Sequence, residues 1–285
     1  MGILTSYLWY LQRRGLLKPG DAVLDIGSSF LHDLTVEDAQ LLVAAFGGSP
    51  ISDDVAEDLA ERSLLKPGRE MLYLSELLEH TAIDYVSFDV CPGHKTRVFD
   101  LNREEMPADL CGSFDVVLNF GTSEHIINQV NVFKVMHDAL KIGGVVAHQS
   151  PSIGSVNHGY FCYHPRFFDD LQLANGYEKV DQFYVRTSQC LPADIDFRIE
   201  KRPLDRSEND DLGTVIPCFN LNAVYRKVQS APFRVSLELS TAHSALAAEI
   251  RAIHVEDPVV HQTRAVDLIS SLIKRGAARL GVAVR

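Results

Sequence analysis

Cysteine is scarce, with five in 285 residues. Cys91, Cys111, Cys162, Cys190 and Cys218 are scattered, and none belongs to a C-x-x-C pair of the kind that marks zinc or dithiol redox centres. A reducing, cytoplasmic compartment fits that usage best. Basic charge is short as well: 27 Lys and Arg stand against 38 Asp and Glu, for a net charge of −11. Binding along a nucleic-acid backbone relies on cations that neutralise phosphates, so this balance argues against nucleic acid as a partner. No apolar run is long enough to span a bilayer. The apolar start, Gly2 to Leu11, ends at Arg13-Arg14, whereas a secretory signal carries its basic residues first. It reads as a lid or packing helix, with an interfacial anchor as the alternative. Internal repeats and low-complexity tracts are also lacking.

What is present is a chain 46% hydrophobic and 23% charged, long enough for one large α/β domain with additions. Its organising stretch is Ala22-Val23-Leu24-Asp25-Ile26-Gly27-Ser28-Ser29-Phe30. A continuous apolar run is the pattern of a strand buried on both faces, and Gly-Ser-Ser suits a turn where backbone comes close to a ligand. Open α/β sheets bind ligands at the carboxyl ends of their strands, so a cofactor is expected here.

Lys18-Pro19-Gly20-Asp21 is a turn that launches this strand. A helix is expected from Val36, with Thr35 and Asp38 as a capping pair, stopping at Gly47-Gly48. Further helical patterns cover about Asp53–Leu65 and Arg69–His80. The first crossover is thus unusually long, and residues 49–68 read as an inserted helical cover near the cofactor mouth. Strands follow at Ile83–Phe88, ending on Asp89, at Thr96–Phe99, ending on Asp100-Leu101-Asn102, and at Ser113–Phe120, breaking at Gly121-Thr122. A helix over about Asn128–Leu140 leads through Gly143-Gly144 to a strand at Val145–His148. Alternation of strand and helix argues for a parallel sheet with helices on both faces. Beyond Pro151 come an aromatic, histidine-rich loop from Asn157 to Pro165, a helix over Arg166–Ala174, and strands at Lys179–Arg186 and Cys218–Val228. An acid-rich connection around Asp205–Asp211 separates these strands and reads as a mobile loop. Two helical patterns fill Ser240–Arg285.

Val23-Leu24-Asp25-Ile26-Gly27, Asp89, Asp100-Leu101-Asn102, Phe114-Asp115-Val116-Val117 and Gly143-Gly144, in this order, resemble the class I S-adenosylmethionine-dependent methyltransferases. Gly121-Thr122-Ser123-Glu124-His125-Ile126, Asn157-His158-Gly159-Tyr160 and Asn175-Gly176-Tyr177 look like bacterial members encoded with polysaccharide or secondary-metabolite genes. The resemblance covers about residues 20–228. It implies a Rossmann-like α/β fold: seven strands, mostly parallel, with helices on both faces and an antiparallel last strand between the fifth and sixth. The expected division is an N-terminal helix over 1–19, the methyltransferase domain over 20–228 and a helical extension over 229–285. The family often shows Gly-x-Gly-x-Gly in its first turn, where this chain has only Gly27 before Ser28, Ser29 and Phe30.

The resemblance implies S-adenosylmethionine as cofactor and in-line methyl transfer, to oxygen before nitrogen or carbon, of a sugar or small natural-product acceptor. Asp89, at the end of the second strand, could accept hydrogen bonds from both ribose hydroxyls. Asp100 and Leu101 would flank the adenine. Asp25 would orient the glycine turn formed by Gly27 and Ser28, or reach the cofactor's amino group through water. Asn119 and Gly121 would lie near the transferable methyl. For the proton-accepting base His158 comes first, then His125 and His148; His125 is equally a cap or packing residue. His148, His158 and His164 could together face the mouth, and a metal is the alternative for them. With no fixed helical spacing among them, no metal is assigned. The aromatics from Tyr160 to Phe168 could wall the acceptor or belong to the core. Two other functions stay open. A nicotinamide-dependent oxidoreductase needs Gly-x-Gly-x-x-Gly, which Gly27-Ser28-Ser29-Phe30-Leu31-His32 does not supply. A catalytically inactive binding scaffold would use the apolar-striped C-terminal helices for self-association.

Overall fold

A computed structural model describes residues 2–64, 70–155, 158–186 and 218–238. The acid-rich connection, Cys190, Asn157 and the two C-terminal helical patterns lie outside the described residues. The chain divides into two compact units, Met1–Phe233 and Arg234–Arg285, and the strands and helices named below all belong to the first.

The unit is built on a seven-stranded sheet. Its strands are β2 (Ala22–Ile26), β4 (Asp84–Asp89), β5 (Thr96–Val98), β6 (Phe114–Phe120), β7 (Leu140–Ile153), β8 (Glu178–Arg186) and β9 (Phe219–Arg226). They lie in the order β5-β4-β2-β6-β7-β9-β8. The first five in chain order are parallel, and β9 runs antiparallel between β7 and β8. This is the expected Rossmann-like arrangement. β2 pairs with β4 on one side and β6 on the other, so the crossover direction reverses next to it. Ligands of open α/β sheets bind at such a switch point.

Strand residues alternate between two buried faces. Val23, Val116, Leu118, Val145 and Ala147 join one core with α1 (Thr5–Arg13), α2 (Val36–Ala45), α3 (Asp53–Ser63) and α4 (Leu74–Leu78). Leu24, Ile26, Val117 and Val146 join the other with α5 (Gln129–Ala139) and α6 (Pro165–Asn175). The helices start where side chains can cap them. Thr35 Oγ1 accepts from the Asp38 N–H at 3.0 Å, and Asn128 Oδ1 from the Asn131 N–H at 3.1 Å. Pro165 opens α6, and Gly176 ends it in the left-handed region at φ 61°. α1 is tied down at both neighbours: Trp9 Nε1 donates to Asp38 Oδ1 at 2.8 Å, and the Tyr10 hydroxyl to Asp181 at 2.9 Å.

Several boundaries differ from the sequence reading. The helix expected over Arg69–His80 is only α4, one and a half turns from Leu74. The strand expected at Val145–His148 extends to Ile153, because antiparallel pairing with β9 gives the polar Gln149–Ser152 segment ladder partners. Two strands were not anticipated. β1 (Gly2–Leu4) and β3 (Phe30–His32) pair in parallel, Gly2 with Phe30 and Leu4 with His32. Among the described residues no helix is long and apolar enough to cross a membrane.

Candidate functional site

The turn after β2 is held from below by backbone and from the side by carboxylates. Gly27 N–H donates to the Phe88 carbonyl at 2.8 Å. Ser28 N–H donates to Asp89 Oδ2 at 3.0 Å, and Ser29 N–H to Asp25 Oδ2 at 3.2 Å. The Ser28 hydroxyl meets those of Ser87 and Thr96 at 3.2 and 2.8 Å. The turn then runs into β3, so no helix N-terminus opens at the glycine.

Asp89 is half-buried, and its second oxygen accepts the Cys91 N–H at 2.9 Å. An ionised carboxylate has about four lone-pair sites. With one backbone donor on each oxygen, Asp89 keeps acceptor capacity for two more. Asp25 is fully buried; Oδ2 also takes the Tyr85 hydroxyl at 2.7 Å, while Oδ1 has no hydrogen-bond partner. Loss of hydration, partly offset by the Tyr85 and Ser29 hydrogen bonds and reinforced by the nearby Asp89 charge, pushes its carboxyl up to about 7.

That shift makes a stability prediction. The folded state holds the Asp25 proton more tightly than the unfolded chain, whose aspartates titrate near 3.8. The stabilisation is therefore fully present below the unfolded value and is lost as pH rises through about 7. Urea unfolding at a series of pH values should give a curve that falls less steeply over this window in Asp25→Asn than in the wild type. Parallel curves contradict the assignment.

Asp100 serves its own turn. Its Oδ1 accepts the Asn102 N–H at 2.9 Å and its N–H donates to Glu104 Oε1 at 2.6 Å. Leu101 is buried in the second core beside Phe99 and Met106, with its carbonyl accepting from Asn131 Nδ2 at 2.8 Å.

At the end of β6, Asn119 is fully buried and organises the following turn. Its Oδ1 accepts the Ser123 N–H at 3.1 Å, and its Nδ2 reaches Ser123 Oγ at 2.9 Å and His148 Nδ1 at 3.1 Å. Gly121, at φ 77°, donates its N–H to the Gln149 carbonyl at 3.0 Å. The first turn comes directly against this second one: a Cβ on Gly27 would lie 2.2 Å from Thr122 Oγ1.

The histidines separate into two groups. His148 is buried between Phe168 and Phe133, with ring centroids 4.9 and 5.7 Å away. Burial pulls its imidazole down to about 3, so it is neutral and accepts from Asn119. It takes a place in the core, and His164 is exposed at the head of α6. His125 and His158 come together, their ring centroids 5.2 Å apart. The residue that joins them is Glu124, whose side chain is fully buried and whose Oε1 lies 3.4 Å from His158 Nε2. Burial pushes the Glu124 carboxyl up to about 7. In sequence, Glu124 beside His125 looks like the opening of a helix, and nothing local marks the carboxylate as buried. The aromatics divide too: Phe168 and Tyr163 are core, and Tyr160 is exposed.

No protein family's sequence profile matches the chain, and no curated protein matches it in sequence. Solved structures do resemble it. A SAM-dependent methyltransferase from Archaeoglobus fulgidus is 12% identical, with 78% of this chain and 93% of that one covered at a TM-score of 0.42. The Burkholderia thailandensis 1,6-didemethyltoxoflavin-N1-methyltransferase, with bound 1,6-didemethyltoxoflavin and S-adenosylhomocysteine, is 12% identical over 79% of this chain and 78% of that one, at 0.42. Phosphoethanolamine N-methyltransferase 2 of Haemonchus contortus, in complex with S-adenosyl-L-methionine, is 14% identical over 78% of this chain and 52% of that one, at 0.41. At this identity the likeness is one of fold, and the assignment of the Rossmann-like architecture rests on the strand order of the chain itself.

Proposed function

We propose that the chain is an S-adenosylmethionine-dependent methyltransferase acting on an oxygen of a sugar or small natural-product acceptor. The observation that supports this reading most is Asp89, a half-buried carboxylate at the carboxyl end of the second strand of the sheet. It stands beside the switch point with one lone pair spare on each oxygen, the acceptor pattern that two adjacent ribose hydroxyls require. Asp25, Gly27 and Ser28 would hold the methionine end, Asp100 and Leu101 the adenine end, and Asn119 and Gly121 the side facing the acceptor. The cofactor, when bound, supplies a methyl group already activated on a sulfonium.

The chain's own work is then alignment, exclusion of water and care of one proton. Asp25 fixes the first turn through Ser29 and Tyr85. Gly27 lets that turn reach the one after β6, so both border a single mouth. At the acceptor end Glu124, His125 and His158 gather the polar groups that can hold an oxygen and accept its proton, while His148 supports Asn119 from the core. The nicotinamide alternative loses its physical basis, because a pyrophosphate needs a helix N-terminus at the first turn and a strand begins there instead.

Calorimetry of the intact chain with S-adenosylmethionine and S-adenosylhomocysteine, with NADH as control, tests the reading. Hydrogen bonds to a charged group contribute about 1.5–3 kcal/mol each, so loss of two of them in Asp89→Ala should weaken binding by roughly 100-fold or more. Asp89→Asn, which retains an acceptor, should fall between. No binding by the wild type, or equal binding by all three proteins, sinks the proposal and moves the binding-scaffold alternative to the front.

A further inference from the structure

Glu124, His125 and His158 each offer a ligand atom, and these atoms lie within 4.8 Å of one another. Divalent ions with mixed nitrogen and oxygen ligands bind them at about 2.0–2.2 Å, which sets two ligands of a tetrahedral ion roughly 3.3 Å apart. His158 Nε2 and Glu124 Oε1 are 3.4 Å apart. That separation is long for a direct hydrogen bond and close to what a shared ion requires.

A second observation is independent of this spacing. The Glu124 side chain is fully buried, yet neither carboxylate oxygen has a hydrogen-bond partner. Removing a carboxylate from water without replacing its partners is costly, and an ion is one of the few things that can replace them. The surrounding backbone is built to hold the cluster together. The Glu124 carbonyl accepts the Tyr160 and Phe161 N–H groups at 2.9 and 3.2 Å. Gly159 is pressed against the turn, since a Cβ there would lie 3.0 Å from Glu124 Cγ and 3.3 Å from His125 Cε1. His158 is thereby carried over Glu124 with about half of its side chain, 52%, still exposed, which leaves a path for entry.

We propose that Glu124, His125 and His158 bind one divalent transition-metal ion of the zinc class. Two imidazoles and one carboxylate suit zinc and its first-row neighbours, whereas magnesium and calcium favour oxygen ligands throughout. Three protein ligands leave a coordination position open. The turn that carries Glu124 and His125 directly follows β6, the strand end that the methyl-transfer reading gives to the acceptor. This role for the ion rests on the methyl-transfer reading; the binding of the ion does not. With the ion bound, the ligating nitrogens of His125 and His158 no longer accept the proton themselves; an acceptor hydroxyl on the ion would become acidic enough to release its proton to solvent.

The test uses the full chain, stripped with a chelator and titrated by calorimetry with zinc chloride and, separately, magnesium chloride. Cobalt(II) absorption serves as a spectroscopic readout of coordination. Zinc should bind one per chain and magnesium should not. Glu124→Gln and His158→Gln should each weaken zinc binding by on the order of 100-fold or more and abolish the cobalt band, and His164→Gln should leave both unchanged. His158→Gln is the safer variant, because a half-exposed side chain is replaced without disturbing the core. Absence of zinc binding in the wild type, or undiminished binding in both ligand variants, overturns the proposal. Zinc binding without S-adenosylmethionine binding keeps the metal site and removes the methyltransferase reading; the reverse result removes the metal site alone.

Discussion

Gly27→Ala is expected to destabilise the protein by roughly 2–5 kcal/mol and, on the proposed methyl-transfer reading, to abolish S-adenosylmethionine binding at concentrations where the wild type would saturate. Two costs combine. Gly27 has φ 103°, a conformation that L residues rarely adopt, and moving out of the permitted regions costs on the order of 1–2 kcal/mol. The new Cβ would also lie 2.2 Å from Thr122 Oγ1. Thr122 is buried, and a β-branched side chain has few rotamers to escape into, so the collision must be relieved by shifting one turn away from the other. Overpacking of this kind costs about 1–3 kcal/mol. Adding Thr122→Ala removes Oγ1 and should recover the collision but not the dihedral cost. Urea unfolding of the wild type, both single variants and the double variant separates them as a cycle. If the double variant is no more stable than the sum of the two single losses, the two turns do not meet as described.

Phe168→Ala should cost about 3–5 kcal/mol, measured in the same way. Phe168 is fully buried on α6 and is ringed by aromatic groups: His148 at 4.9 Å, Phe167 at 5.2 Å, Tyr163 at 5.6 Å and Phe133 at 6.3 Å between centroids. None of these rigid rings can collapse far into the space left behind, so a cavity persists and its lining loses dispersion contacts. Phe168→Leu, which fills most of the volume, should cost less than half as much. A loss below about 1 kcal/mol for Phe168→Ala would show that the site relaxes freely, contrary to the packing around His148.

The comparison of sequence with structure turns on whether a residue's environment is local. Ala22–Ile26 was legible because a strand buried on both faces reads as an apolar run, here broken only by Asp25, and Asp89 because it closes the β-prone run Tyr85–Phe88. The extension of β7 through Gln149–Ser152 was not, since beyond Gln149, the last residue paired with β6, the segment is held in a strand by β9, some 70 residues later. β1 and β3 are too short to show a period and find each other across 28 positions. Among candidate site residues, Asp25, Gly27, Ser28 and Asp89 meet in one turn whose logic was visible from strand ends. Glu124 was hidden because its burial is created by Gly159 and the loop that follows, which no spacing near residue 124 announces. His148 read as a site residue for the opposite reason: its polarity is visible in sequence, and the phenylalanines that enclose it are not adjacent to it.

The small pairing of β1 with β3 has a mechanical consequence. Leu4 lies opposite His32 and is followed at once by Thr5, the first residue of α1, whose hydroxyl donates to the His32 carbonyl at 2.8 Å. The outgoing arm of the glycine turn is thus stapled to the root of α1. A strand pair does not slide by fractions of a residue, because a one-residue slip turns every side chain to the opposite face. The turn and the helix are therefore connected in series as one lever, and a force applied at Ser29 reaches Trp9 and Tyr10 without first passing through the sheet.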